Sequence, residues 1–148
     1  MIDVQILKSF SYFNGFTEKE LELLLPFTNL KIFAPGEVIL TEGEINTDLY
    51  FLVLGNVIVS IGGEQVAEIS CLGEVLGEMS LGNHFHCTAT VTSETTSNFI
   101  LVAFKDIIVS LPEAQRPSIL MKFYKSTVEI LTRKIMMTNA IARTFKSK

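Results

Sequence analysis

Between Lys31 and Lys105 the chain has no lysine and no arginine. Cysteine is scarce as well: Cys71 and Cys87 are the only two. Long apolar runs are missing. A representative run, Phe99-Ile-Leu-Val-Ala-Phe104, falls far short of the roughly 18 residues that a membrane-crossing helix needs. The opening Met1-Ile-Asp-Val-Gln-Ile6 lacks a basic start followed by an apolar stretch, so no secretory leader is expected and the chain reads as cytoplasmic. Two cysteines without such a leader read as free, buried thiols in a reducing compartment rather than as a disulfide. The common catalytic signatures are absent too. There is no Gly-x-Ser-x-Gly, no His-Glu-x-x-His, no Gly-x-x-x-x-Gly-Lys and no carboxylate pair in a cleft pattern. An enzyme is therefore not expected.

What is present is enough for one folded unit. The chain has 148 residues, 48% of them hydrophobic and 19% charged, which suits a single domain with its own core. The net charge of −4 conceals two opposed halves. Residues 1–115 sum to −11 and residues 116–148 to +7. The basic residues of the second half are spread through an apolar helix instead of clustered. That pattern fits a helix lying beside its own acidic body, or a partner's, better than a nucleic-acid or membrane contact.

The periodicity changes twice along the chain. Thr17-Glu-Lys-Glu20 is a capping box, and Leu21, Leu24 and Leu25 follow at helical spacing, which predicts a helix over 17–26 ended at Pro26. An earlier helical turn is expected near Asp3–Phe10. From residue 30 onward, short strand patterns alternate with turns. Leu30–Phe33, Val38–Leu40, Leu49–Leu54, Val57–Ile61, Gln65–Ile69, Thr88–Thr92 and Asn98–Ala103 are separated by Pro35-Gly36, Gly55-Asn56, Gly62-Gly63 and a polar turn at 93–97. After Phe104 the helical period returns, first over Lys105–Leu111 and then from about Pro117 almost to the end. In that last helix Met121, Tyr124, Val128, Leu131, Ile135, Thr138, Ala142 and Phe145 form a heptad seam. It would serve either for packing along the chain's own barrel or for pairing with a second copy. The expectation is an α+β domain spanning 1–148. N-terminal helices (1–29) come first, then an antiparallel β barrel of about seven or eight strands (30–104), then C-terminal helices (105–148).

The barrel also carries a pattern of its own. Ala34-Pro-Gly-Glu-Val-Ile-Leu-Thr-Glu-Gly43 leads to Leu49-Tyr-Phe-Leu-Val-Leu-Gly-Asn-Val-Ile-Val59. Leu72-Gly-Glu-Val-Leu-Gly-Glu78 follows, and then Thr88-Ala-Thr-Val91. Taken together, these segments closely resemble the cyclic-nucleotide-binding domain family, as found in catabolite-activator-like sensors, and the resemblance runs over essentially the whole chain. It implies a jelly-roll barrel and a phosphate-binding cassette made of Leu76, Gly77, Glu78, Met79, Ser80, Leu81, His86, Cys87, Thr88 and Ala89. Gly77 would allow close backbone approach, and the residues after it would open a short helix facing an anion. Glu78 matches the carboxylate that accepts from a ribose 2′-hydroxyl. Met79, Ser80 and Leu81 match the hydrophobic–small–hydrophobic turn, while Thr88 and Ala89 match positions that touch phosphate or base. Leu76 replaces the usual aromatic. Met121 and Tyr124 are candidates for the lid that the C-terminal helix closes over a base.

One position departs from this pattern. Ten residues after Gly77 stands Cys87, where many family members have the arginine that grips the cyclic phosphate. An arginine–phosphate pair is charge-assisted and often bidentate. Its loss costs a partly buried site about 2–5 kcal/mol, or roughly 30- to 5000-fold in affinity. Two substitutes are conceivable: His86, when protonated, or a lysine of the last helix such as Lys122 or Lys125. His84, His86 and Cys87 also raise a metal or haem reading, but they crowd into four positions, so no metal or cofactor is expected. Three functions follow. The first is a non-catalytic sensor or regulatory domain that holds cyclic AMP and cyclic GMP poorly and takes another small molecule or none. The second is a genuine cyclic-nucleotide receptor with an atypical phosphate contact. The third is a dimerisation module working through the C-terminal helix. No helix-turn-helix pattern follows that helix, so no DNA-binding domain is expected.

Overall fold

The structure is a computed structural model. It describes residues 2–81 and 86–146, with no account of the side chains at 79, 80, 135 and 137–146. Helix α1 (Val4–Lys8) starts at Asp3, whose carboxylate accepts from the Ile6 N–H at 3.0 Å. A 3-10 turn (Ser11–Phe13) follows. Helix α2 (Glu18–Leu24) has the expected capping box. Thr17 Oγ1 accepts from Glu20 N at 3.2 Å, and Glu20 Oε1 accepts from Thr17 N at 2.8 Å. The helix stops at Leu24 rather than 26, and residues Leu25–Phe27 tighten into a 3-10 turn. Pro26 has no N–H to donate back to a fourth-preceding carbonyl, so the α ladder fails one residue before it.

The β block comprises β1 (Thr28–Phe33), β2 (Val38–Leu40), β3 (Leu49–Leu54), β4 (Val57–Ile61), β5 (Glu64–Ile69), β6 (Val75–Leu76), β7 (Thr90–Ser93) and β8 (Ser97–Val102). They form two antiparallel four-stranded sheets, ordered β1-β8-β3-β6 and β2-β7-β4-β5, which is a jelly roll. Strand β8 lies centrally, pairing with β1 over Thr28↔Val102 to Phe33↔Ser97 and with β3 over Leu49↔Val102 to Leu54↔Asn98. The turn from β3 into β4 requires glycine. Gly55 has φ +119°, and a Cβ there would lie 2.4 Å from Ser97 Oγ.

Leu49–Val53 of β3 and Phe99–Val102 of β8 read as unbroken apolar runs because both of their faces are covered. One face lines a core between the sheets, built from Phe33, Ile39, Leu40, Tyr50, Leu52, Val57, Leu76, Val91 and Phe99. The other face (Leu49, Phe51, Ile100 and Val102) packs under the helices with Leu7, Phe10, Phe13, Phe104, Ile107, Ile119 and Phe123. Phe10 stacks on Phe51 at 5.3 Å with planes 3° apart.

Helix α3 (Phe104–Ser110) leads to the long α4 (Arg116–Lys146). The inward stripe of α4 is Ile119, Phe123 and Thr127, all buried. The predicted seam lies on another side. Met121 is 68% exposed, Tyr124 45% and Val128 60%, so these residues do not pack along the barrel; the side chains of Ile135, Thr138, Ala142 and Phe145 lie outside the described set. Both cysteines are free, as expected, but Cys71 is exposed rather than buried. No helix among the described residues is long and apolar enough to cross a membrane.

Candidate ligand-binding cassette

Gly77 sits at the turn that follows β6 and has φ +82°. A Cβ at this position would lie 2.7 Å from the Asp48 carbonyl oxygen and 2.8 Å from Asn46 Nδ2. Both the conformation and the space therefore demand glycine. The opposing wall is itself fixed by a side-chain turn. Asn46 is buried; its Nδ2 donates to the Asp48 carbonyl at 2.8 Å, and its Oδ1 accepts from the Asp48 N–H at 3.2 Å. Neither Asn46 nor Asp48 was expected at the site. The Asn-x-Asp spacing was the available signal, because asparagine readily mimics a backbone turn.

Leu76 is buried and pairs with Tyr50 across β3 and β6. Beyond Gly77, residues Glu78–Leu81 form one 3-10 turn. Within it Leu81 is buried, and Glu78 is 8% exposed. Met79 and Ser80 contribute backbone to this turn. His84 lies outside the described residues.

On the return strand His86 bridges to Ile45. Cys87 donates its N–H to the Glu44 carbonyl and accepts from the Gly43 N–H, both at 2.8 Å. His86 is exposed, whereas Cys87 is half-buried and packs against the core between the sheets. Successive residues of extended backbone face opposite ways. Of this pair, it is Cys87 that takes the inward position. Thr88 is exposed and Ala89 half-buried, just before β7.

The titratable groups around Cys87 are neutral or acidic. Burial and the Glu44 carboxylate push the Cys87 thiol up, partly offset by the Thr41 backbone, so it stays neutral near pH 7. Burial, with Asp48 and Cys87 nearby, pushes Tyr50 up to about 12. Burial and Asp106 raise the Asp48 carboxyl against the pull of Lys31. Among the described residues, one ion pair reaches the cassette: Lys134 Nζ of α4 lies 2.6 Å from Glu78 Oε1. Lys122 is committed elsewhere, bonded to Glu20 of α2, and Lys125 is exposed. Met121 and Tyr124 are exposed, and the Tyr124 ring sits against Phe104 at 6.4 Å. No cluster of three or more His, Cys, Asp or Glu among the described residues could hold a metal ion.

Comparison with known proteins bears on the family and the fold. The family described as "Cyclic nucleotide-binding domain" matches residues 30–108. A cGMP-dependent protein kinase of Eimeria tenella is 33% identical over 90 residues, which is 61% of this chain and 9% of the kinase. The matched segment is thus a small part of that relative's length. Among solved structures, a cyclic nucleotide-binding domain from Methylobacillus flagellatus KT superposes with a TM-score of 0.74 at 19% identity, covering 98% of this chain and 82% of the other. A cyclic nucleotide-binding protein from Geobacter metallireducens GS-15 gives 0.72 at 20% identity, covering 88% and 98%. At these identities the likeness is one of fold.

Proposed function

We propose that this chain, which belongs to the cyclic nucleotide-binding domain family, is a non-catalytic regulatory module with an intact cassette scaffold and a lost phosphate grip. Cyclic AMP and cyclic GMP are then held only weakly, and the preferred ligand is a small molecule that is uncharged or weakly anionic. One observation carries this reading. The inward position on the return strand holds Cys87, a neutral thiol, beside Glu44 and with no arginine or lysine between residues 31 and 105. The backbone around Gly77 supports retention of the scaffold, since it still meets Asn46 and Asp48 as a close-fitting turn. Loss of an arginine–phosphate contact weakens binding by about 30- to 5000-fold. Equilibrium dialysis of the wild-type protein against cyclic AMP and cyclic GMP tests the reading. Retention of either nucleotide at about 10 μM free ligand would overturn it.

A second element of the proposal concerns α4. Its stripe of Met121, Tyr124 and Val128 faces solvent at heptad spacing and offers a face to a second copy of the chain. Sedimentation over a range of concentrations would show a reversible dimer, weakened by Val128→Glu. A protein that sediments as a monomer throughout would eliminate this part.

A further inference from the structure

We propose that β1 pairs edge to edge with β1 of a second copy of the chain, antiparallel about Leu30, so that two domains share one continuous sheet. The contact involves neither the cassette nor the α4 stripe.

Each four-stranded sheet ends in two edge strands. Among the described residues, three of these four edges are blunted against further pairing. Strand β6 is two residues long. Strand β2 is three residues long and has a register shift. Strand β5 is interrupted by a register shift opposite Val59 and Ser60, and it carries Glu64 and Glu68. Strand β1 has none of these devices. Its six residues stay in unbroken register with β8 and include no proline, and the four from Asn29 to Ile32 are exposed. Leu30 is 52% exposed and Ile32 57%. The one charged residue, Lys31, has its ammonium over its own Phe33 ring at 5.0 Å.

One bond shows which backbone groups are free. The Phe27 carbonyl accepts from the Ala103 N–H at 2.9 Å, continuing the β1–β8 ladder by one pair. Antiparallel ladders alternate bonded and unbonded pairs. Phe27, Asn29, Lys31 and Phe33 therefore aim their backbone groups at β8, while Thr28, Leu30 and Ile32 aim theirs outward. An added strand offers the matching row of donors and acceptors.

A second copy fits that row in one register. The alternation admits pairing centred on Leu30, Lys31 or Ile32. Centring on Lys31 sets two lysines directly opposite, which is destabilising. Centring on Ile32 needs the Ala34 N–H, which already donates to Glu37 Oε2 at 2.9 Å. Centring on Leu30 sets Leu30 opposite its counterpart, Ile32 opposite Thr28, and Lys31 opposite the uncharged Asn29. The two Leu30 residues exchange bonds, and each Ile32 N–H donates to a Thr28 carbonyl; the Thr28 N–H stays with Leu25. The side chains agree. Leu30 lies opposite Ile100, and alternation puts Ile32 on the same face. That face continues into an apolar groove lined by Ile2, Ile6, Leu25, Thr28 and Leu72. The groove lies at the Thr28 end of β1, and exposed Ile32 stands toward the other end. The two-fold pairing brings Ile32 of each copy to the rim of the other's groove.

Sedimentation of Val128→Glu, which disables the α4 stripe, tests the pairing. This variant should still form a reversible dimer. Adding Leu30→Lys should weaken it about tenfold or more by opposing two lysines, and adding Glu64→Lys on the β5 edge should not. Circular dichroism checks that Leu30→Lys is folded; if it is not, Ile32→Lys at the other exposed position takes its place. Oxidised glutathione reads the register in a Cys71→Ser background. Leu30→Cys should cross-link to its copy, since opposed Cα atoms of a bonded pair lie about 5.5 Å apart. Lys31→Cys should not. A Val128→Glu protein that is monomeric up to about 100 μM, a dimer indifferent to both lysine substitutions, or cross-linking of Lys31→Cys in preference to Leu30→Cys would overturn the proposal.

Discussion

The Tyr12 hydroxyl lies 3.1 Å from the Phe123 carbonyl and 2.9 Å from Thr127 Oγ1, joining the N-terminal 3-10 turn to α4 across 111 and 115 residues of sequence. The hydroxyl donates to the carbonyl and accepts from the threonine. Ser126 Oγ adds a bond to the Tyr12 carbonyl at 2.7 Å. Together these bonds fix where α4 leaves the domain, and so which of its side chains come near the cassette.

Tyr12→Phe would leave the Phe123 carbonyl and the Thr127 hydroxyl short of a buried partner. Denaturant unfolding should show a loss of about 1–2 kcal/mol. Burial first, and the Glu78 charge as well, push the Tyr12 phenol above its usual range, with Thr127 opposing them. A raised phenol binds its proton more tightly in the folded state. Wild-type stability should therefore decline as pH rises above about 10, and the decline should be shallower in Tyr12→Phe.

Gly77→Ala should disrupt the cassette turn. The new Cβ would meet the Asp48 carbonyl oxygen at 2.7 Å in a backbone conformation that alanine disfavours. A cost of about 2–4 kcal/mol is expected on thermal or chemical unfolding. Gly36→Ala is the control: it shares a left-handed φ of +84° but has open space around it, so its loss should be smaller, about 1 kcal/mol.

The Glu20 carboxyl would be raised by its burial, but Lys122 and the Thr17 bonds outweigh this and hold it below the usual carboxylate range. Its contribution is therefore complete above the unfolded value, about 4.3, and is lost as pH falls through the folded one. Lys122→Met should cost about 1 kcal/mol at pH 7. Below about pH 5 the wild type should lose stability more steeply than the variant; parallel curves would contradict the assignment.

The two thiols should separate chemically. Cys71 is exposed, while Cys87 is half-buried with its thiol pushed up by burial and Glu44. Alkylation of the native protein near pH 7.5, followed by peptide mass analysis, should label Cys71 well before Cys87. Equal rates would contradict the neutral, inward-packed thiol on which the reading of the cassette depends.

Local signals were legible in the sequence where the cause is local. The Thr17–Glu20 box caps α2 because both of its bonds span three residues. The strand runs are apolar because β3 and β8 are covered on two faces. Strand β6 escaped notice, since Val75 and Leu76 are too few to display a period and their pairing with Tyr50 and Phe51 is supplied from elsewhere in the chain. Helix α4 is apolar on two sides. Its spacing marks Met121, Tyr124 and Val128 as readily as Ile119, Phe123 and Thr127, and tertiary contacts decide which stripe turns inward: the core that takes Ile119 and Phe123, and the bonds of Tyr12. In the cassette, Gly77, Glu78 and Cys87 could be found by motif. Lys134 could not, because its link to Glu78 depends on the exit angle of a helix, and the nearer lysine at 122 is already engaged by Glu20.

The central claim is that the cassette lacks only its cation, and parallel calorimetric titration of wild type and Cys87→Arg with cyclic AMP and cyclic GMP tests it most directly. Circular dichroism and thermal unfolding would first establish that the arginine variant is folded. The account predicts no saturable heat for the wild type up to about millimolar ligand. It predicts binding at least about 30-fold tighter in Cys87→Arg. Micromolar binding by the wild type, or a folded arginine variant no tighter than the wild type, would contradict it.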